Sequence, residues 1–201
     1  MDHEGERDWE YAQRVQAGET DAFEVLVHRH EKTIFNLLYR WLADYDEAAE
    51  TAQEVFISAY RCIKRFRGES SFSTWLYRIA INRAKNRRNS LIASRKRMVS
   101  LEVADPEGDG GPMGSLSHPG LDPAQEAEQQ EIREQVQQGL NGLKADDALL
   151  ILLHDLQDVP YEEIAEVLDI PLGTVKSRLH RARQTLKARL APHFYSTKAQ
   201  E

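Results

Sequence analysis

Apolar residues along this chain recur at intervals of three and four. No stretch alternates with period two over the length of a strand, so the pattern predicts helices throughout. In the N-terminal half, Trp9 to Ala17 reads as one helix and Thr20 to Trp41 as a second. Thr20 is the expected N-cap of the second, and Ala22, Phe23, Leu26, Val27, Ile34, Leu37, Leu38 and Trp41 supply its apolar face. Asp46 to Phe66 predicts a third helix, acidic at its start and basic at its end, as the helix dipole favours. Arg67 to Ser71 reads as a loop, after which Ser71 or Ser73 caps a fourth helix reaching about Asn89. Further along, Asp122 or Pro123 begins a Gln/Glu-rich helix to about Leu140. Segments Asp146 to Leu156, Val159 to Leu168 and Thr174 to Leu190 follow, with Pro160 in a first turn, where proline is tolerated.

The pattern breaks between Asp105 and Pro123, where nine of 19 residues are Gly or Pro. Such a composition predicts a flexible or extended linker. The expected fold is therefore all-α, with two small helical domains on either side of it. The boundaries are 1–95 for the first domain, 96–124 for the linker, 125–195 for the second domain and 196–201 for a tail.

The last two helices carry the clearest chemistry. With Val175 at zero and about 100° per residue, Leu179, Ala182, Leu186 and Leu190 fall within roughly 60° of it. This stripe can pack on Ile164, Ala165 and Leu168 of the preceding helix. Ser177, His180, Arg181 and Gln184 point the other way, with Lys176, Arg183 and Lys187 on the flank. Two short helices, a Pro171-Leu172-Gly173 turn and a Thr174 cap make a helix-turn-helix whose second helix can enter a DNA major groove. Side chains on the far face can reach base edges, and long basic ones on the flank can reach phosphates.

A formal net charge of −7 sits badly with a nucleic-acid partner until its distribution is read. Tyr60 to Arg97 holds 12 Lys/Arg and one acid, and Thr174 to Lys198 holds seven Lys/Arg and no acid. Two cationic blocks in an acidic background can each attract phosphate, while the acidic remainder suits a basic protein partner.

The first block contains the run from Phe66 to Asn86. Phe72, Trp75, Leu76 and Ile79 share a face expected in the core, and Tyr77, Arg78, Lys85 and Arg88 share another. Asn82 and Asn86 lie one turn apart on a flank. Aromatics, amides and cations beside a polar loop suit single-stranded or distorted DNA, with cations along the backbone and a polar pocket for an extruded base.

Together this run, the acidic Glu50-Thr-Ala-Gln-Glu-Val-Phe56 before it and the Gly173 to Arg183 string resemble the extracytoplasmic-function sigma factors, bacterial promoter-recognition subunits. The resemblance implies that the first domain is region two, four helices that bind the core polymerase clamp and melt the minus-ten element. The second would be region four, which reads the minus-thirty-five element as duplex. By position it implies Glu50, Gln53 and Glu54 against core polymerase. It also implies Asn82 as acceptor of a flipped minus-ten base beside the Arg67 to Ser73 loop, and Lys176, Ser177, His180 and Arg181 at the minus-thirty-five groove. With the residues chosen from the helical faces, the expected minus-ten set is Arg67, Ser71, Arg78, Asn82, Lys85 and Asn86. The minus-thirty-five set is Lys176, Ser177, His180, Arg181, Arg183 and Gln184. The expected partners are core RNA polymerase, promoter DNA and an anti-sigma protein, often membrane-anchored. The chain departs from the family pattern at Glu50, where Asp is usual, at Thr51-Ala52, where a larger aliphatic pair is usual, and at Pro160, where Ser is usual.

Other classes fare worse. A stand-alone helix-turn-helix regulator explains the C-terminal half but neither the Trp/Asn/Arg run nor the acidic helix. For an enzyme, the sequence offers no Gly-rich phosphate loop, no Cys/His metal spacing and no nucleophile triad, so no catalytic residue, metal or cofactor is expected. His28 and His30 would project about 200° apart, poor for one metal. No apolar run approaches the roughly 18 residues of a membrane span, no secretory signal is visible, and the single Cys62 fits a reducing cytoplasm.

Overall fold

The computed structural model describes residues 3–101 and 123–197. The chain divides into two compact units, Met1–Gly111 and Pro112–Glu201. Every regular element among the described residues is helical. The linker expected at 96–124 lies largely outside the described residues, but its first residues, to Leu101, are helical, as are Pro123 and Ala124.

The first unit holds α1 (His3–Gln16), α2 (Asp21–Leu42), α3 (Tyr45–Cys62), a single 3-10 turn (Ile63–Arg65) and α4 (Phe72–Leu101). Helix α2 packs against α1, α3 and α4. Its inward face is the one the sequence predicts, with Ala22, Leu26, Ile34, Leu37, Leu38 and Trp41 buried, while Phe23 and Val27 remain half-exposed. Alanines 48, 52 and 59 of α3 face the core, and small side chains there let the helices approach closely.

Three ends differ from expectation. Thr20 stands at the start of α2 with helical dihedrals (φ −59°, ψ −35°) and no capping bond, because Glu19 and Thr20 carbonyls already accept from Ala22 and Phe23. Asp44 is a working cap on α3, its carboxylate accepting the Glu47 N–H at 2.9 Å. Helix α4 runs twelve residues past Asn89, because Leu91 to Leu101 contains no Gly or Pro to stop it.

In the second unit α6 (Ala145–Asp155) is buried at six successive positions, Ala148 to Leu153. A helix apolar all round belongs at a centre, and α5 (Pro123–Asn141), α7 (Tyr161–Leu168) and α8 (Leu172–Thr197) all pack against it. Helix α5 also lies on α8, where Gly139 leaves room for Leu186: a Cβ at that glycine would stand 2.8 Å from the leucine Cδ1. Proline 123 occupies the first helical position of α5, where its missing N–H costs nothing. No described helix is long and apolar enough to cross a membrane.

Candidate nucleic-acid interface

The helix pair α7–α8 turns at Asp169 and Ile170. Asp169 adopts the left-handed conformation (φ 53°) and its N–H reaches back to the Ala165 and Glu166 carbonyls, ending α7. Helix α8 then begins at Leu172, with the Pro171 carbonyl accepting from Thr174 at 2.8 Å and Val175 at 3.1 Å. Leu172 and Gly173 are thus helical, and Thr174 is an interior residue, not the cap the sequence predicts. Proline fits this opening because it needs no N–H and presets φ.

The stripe on α8 is as read: Val175, Leu179 and Ala182 are buried, Leu186 and Leu190 half-buried. It meets Ile164 and Val167 as the buried residues of α7, with Ala165 and Leu168 half-exposed at the edges. Lys176, Ser177, His180, Arg181, Arg183 and Gln184 are all exposed. Their engagements differ. The Arg183 guanidinium holds both carboxylate oxygens of Asp155 on α6. That hydrogen bonding outweighs desolvation and raises its pKa further above the ordinary value. This pairing ties Arg183 to α6 while its side chain stays 45% exposed. Lys176 lies over the Tyr161 ring, 5.9 Å from its centroid. Tyr161 itself stacks on His154, whose Nδ1–H donates to the Val159 carbonyl at 3.0 Å. Ser177, His180 and Gln184 project outward, and Arg181 makes only a long 3.4 Å bond to the Ser177 carbonyl. Arg178, which the sequence reading passed over, anchors α8 to α6 through Asp147 at 2.8 and 3.0 Å.

In the first unit the buried arc of α4 is Leu76, Tyr77, Ala80, Ile81 and Ala84, with Phe72 and Thr74 at its start. This is about one residue around from the predicted face. Tyr77 is core, not part of a cationic surface, because α1, α2 and α3 all pack on α4 and cover a wide arc. The shift turns outward the face that Trp75, Ile79, Asn82 and Asn86 share within roughly 60°. With Ser58, Cys62, Arg65 and Arg83 they line a depression of about 320 Å³. Asn82 and Asn86 are exposed in it, and Trp75 stacks beneath on Phe66 and Phe72, ring centroids 5.1 and 5.5 Å apart. Arg78 and Lys85 lie on the adjoining flank, outside the lining.

The loop expected beside this pocket does not line it; the 3-10 turn does. Ser71 serves as the cap of α4, its Oγ accepting the Thr74 N–H at 3.1 Å, and Ser73 does not cap. Arg67 is exposed on the loop. Helix α1 braces this region. Gln16 Nε2 donates to the Ile63 and Phe66 carbonyls at 2.7 and 2.8 Å. Trp9 covers Gly68, whose φ of 71° and lack of a Cβ permit ring atoms at 3.1 Å from where one would be. Asp8 accepts from Arg29 at 2.8 Å and from His30 at 2.7 Å. Burial would raise its carboxyl, but these two partners outweigh it and hold the group below its ordinary pKa.

The acidic residues of α3 divide. Glu47 and Glu50 pair with Arg87, and Glu54 with Arg83 at 3.3 Å, so two of the three expected polymerase contacts face α4 cations. Hydrogen bonding to Glu47 outweighs desolvation and raises the Arg87 pKa. Gln53 instead lines an apolar groove of about 760 Å³ between α2 and α3 with Val27, Phe35, Tyr45, Phe56 and Ile57. Tyr45 and Ile57 are 51% and 50% exposed there, an apolar patch that the polar pattern did not reveal.

Known proteins resemble the chain along its length. Residues 26–91 match the family model of sigma-70 region 2, and residues 133–186 that of sigma-70, region 4. The RNA polymerase sigma-H factor of Pseudomonas aeruginosa is 37% identical over 187 residues, covering 93% of this chain and 95% of that one. The ECF RNA polymerase sigma-E factor of Escherichia coli (strain K12) is 37% identical over 180 residues, covering 90% and 92%. Among solved structures, CnrH in complex with the cytosolic domain of CnrY shares the fold with a TM-score of 0.68, at 21% identity over 92% of this chain and 98% of that one. The sigma factor RpoE of Bartonella quintana, in complex with the anti-sigma factor NepR, does so at 0.58 and 23%, over 84% and 96%. Two sigma-70 regions in order, and relatives matched nearly end to end, make this chain a member of the extracytoplasmic-function sigma factors of RNA polymerase.

Proposed function

We propose that this sigma factor reads a promoter at two places with two different surfaces, and that each surface belongs to one unit. The observation that carries the reading is the exposed Ser177, His180, Arg181 and Gln184 face of α8, opposite a buried stripe that fixes its orientation. In a major groove these side chains meet base edges of the minus-thirty-five element, and Lys176 supports them at a phosphate. Arg183 ties α8 to α6 through Asp155.

The second surface is the α4 depression. A base extruded from the minus-ten element can lie against Trp75, with its polar edge toward Asn82 and Asn86, while Arg78, Lys85 and Arg67 follow the backbone. Ser71 acts indirectly, by capping α4. The α2–α3 groove, with Gln53 at its rim, docks on core polymerase, and Glu50 and Glu54 lend negative charge beside it. The 1–95 and 125–195 domains carry these roles. The protein works in the cytoplasm, where the polymerase is, and an anti-sigma protein that covers the groove would hold it inactive.

Reconstitution tests this. Core polymerase plus this chain should initiate specifically on a cognate promoter. Asn82→Ala should impair opening while leaving core binding near normal. DNA binding without conferred initiation would turn the reading toward a stand-alone regulator.

A further inference from the structure

Among the described residues, the lining of the α4 depression comes from α3, α4 and the 3-10 turn, and none of it from α1. Helix α1 nevertheless reaches that turn through one side chain. Gln16, the last residue of α1, donates from Nε2 to the Ile63 carbonyl at 2.7 Å and to the Phe66 carbonyl at 2.8 Å. Ile63 is the first residue of the turn and Phe66 its C-cap, so one amide group holds both ends. Both bonds are part-buried and cross 47 and 50 residues of sequence. Hydrogen bonding within a 3-10 turn is poor in geometry, so a tertiary clasp of this kind sets how the turn lies.

The turn carries one wall and the floor of the depression. Arg65, inside the turn, lines it. The Phe66 ring supports Trp75 at 5.1 Å between centroids and meets Phe72 at 5.6 Å. Trp9, about two turns before Gln16 on α1, meets the Phe66 ring edge-on at 5.5 Å. Phe66 is thus wedged among three rings and 4% exposed. Close-packed interiors transmit displacement, so a turn that slips takes Phe66 with it and tilts Trp75.

A side chain of the same length without an N–H would leave both carbonyls short of a donor, and they would turn toward water. We infer that Gln16 is a positioning residue for the minus-ten element. By clasping the 3-10 turn it sets the Arg65 wall and, through Phe66, the Trp75 floor against which the extruded base lies. This rests on the depression taking that base. The match to the region 2 model begins at residue 26, so the clasp reaches the pocket from outside the matched stretch.

The test measures binding of a single-stranded minus-ten oligonucleotide, intact or scrambled, to holoenzyme carrying the full chain. All variants are compared at a temperature at which circular dichroism shows them folded. Gln16→Met and Gln16→Glu keep the length and lose the donor; Gln16→Lys keeps a donor at similar reach. Gln16→Met and Gln16→Glu should bind the intact oligonucleotide about tenfold more weakly, roughly the stacking of one base, and lose most of the preference over the scrambled one. Gln16→Lys should keep that preference. Affinity for core polymerase and the preference for an intact minus-thirty-five element should match wild type in all three. Asp8→Asn loosens α1 on α2 without touching the turn, and should also keep the minus-ten preference. Full preference in Gln16→Met, or a loss in Gln16→Lys equal to that in Gln16→Glu, overturns the assignment. So does a loss in Asp8→Asn as large as in Gln16→Met, since the amide would then act only by keeping α1 in place. An Asn82→Ala holoenzyme with undiminished preference would instead refute the pocket reading, and the assignment with it.

Discussion

The two cationic blocks of this sigma factor carry Lys/Arg at similar density in sequence and are differently used in structure. On α4, Arg83 and Arg87 answer Glu47, Glu50 and Glu54 on the acidic face of α3, and Arg83 does so at the edge of the depression. On α8, among the described residues, Arg178 and Arg183 are tied to acids on α6, and His180 and Arg181 between them are exposed. In both units formal charge therefore overstates what is offered to phosphate. On the proposed reading, the first unit's surface takes a base on an aromatic and amide floor, where stacking adds to charge. The second suits a duplex, where groove contacts and flanking phosphates dominate.

Removing an anchor should have the largest effect. Asp147→Ala leaves the partly buried Arg178 without its main acceptor and should destabilise the protein by about 1.5–3 kcal/mol in urea unfolding. Arg181→Ala touches no anchor. It should leave stability unchanged and weaken minus-thirty-five recognition by about 1–3 kcal/mol, measured as the ratio of intact to scrambled element binding, if it reads a base bidentately. Arg87→Ala opens a half-screened pair with Glu47 and Glu50 and should cost about 0.5–1 kcal/mol of stability. Arg83→Ala, at an exposed pair, should cost less than about 0.5 kcal/mol by the same measurement. Equal losses from Arg87→Ala and Arg181→Ala in unfolding would erase the distinction between structural and available cations.

Much of this was legible from periodicity. The α8 stripe and its exposed polar face follow from spacing alone, since 3.6-residue periodicity separates core from surface. What escaped depends on neighbours. Spacing put Tyr77 among the cations, but three helices cover α4 and bury it. Trp75 and Ile79 share a face with Asn82 and Asn86 by spacing, but only packing shows that this face lines a depression with Ser58, Cys62 and Arg65 and is not core. Thr20 and Thr174 have the chemistry of caps, yet carbonyls upstream had already opened each helix. Arg183 and Glu50 are distinguishable from free charges only once Asp155 and Arg87 are placed in space. The α2–α3 groove gave no polar signal at all; it comes from small residues at Ala49 and Ala52 beside exposed Tyr45 and Ile57.

The central claim is that each unit reads its own promoter element. Initiation by core polymerase with wild type, Arg181→Ala or Asn82→Ala should be measured on four templates, with the minus-thirty-five and minus-ten elements intact or scrambled in all combinations. The account predicts that Arg181→Ala becomes indifferent to the minus-thirty-five sequence and stays sensitive to the minus-ten, and that Asn82→Ala shows the reverse. Equal loss of both preferences in either variant, or loss of neither, would contradict it.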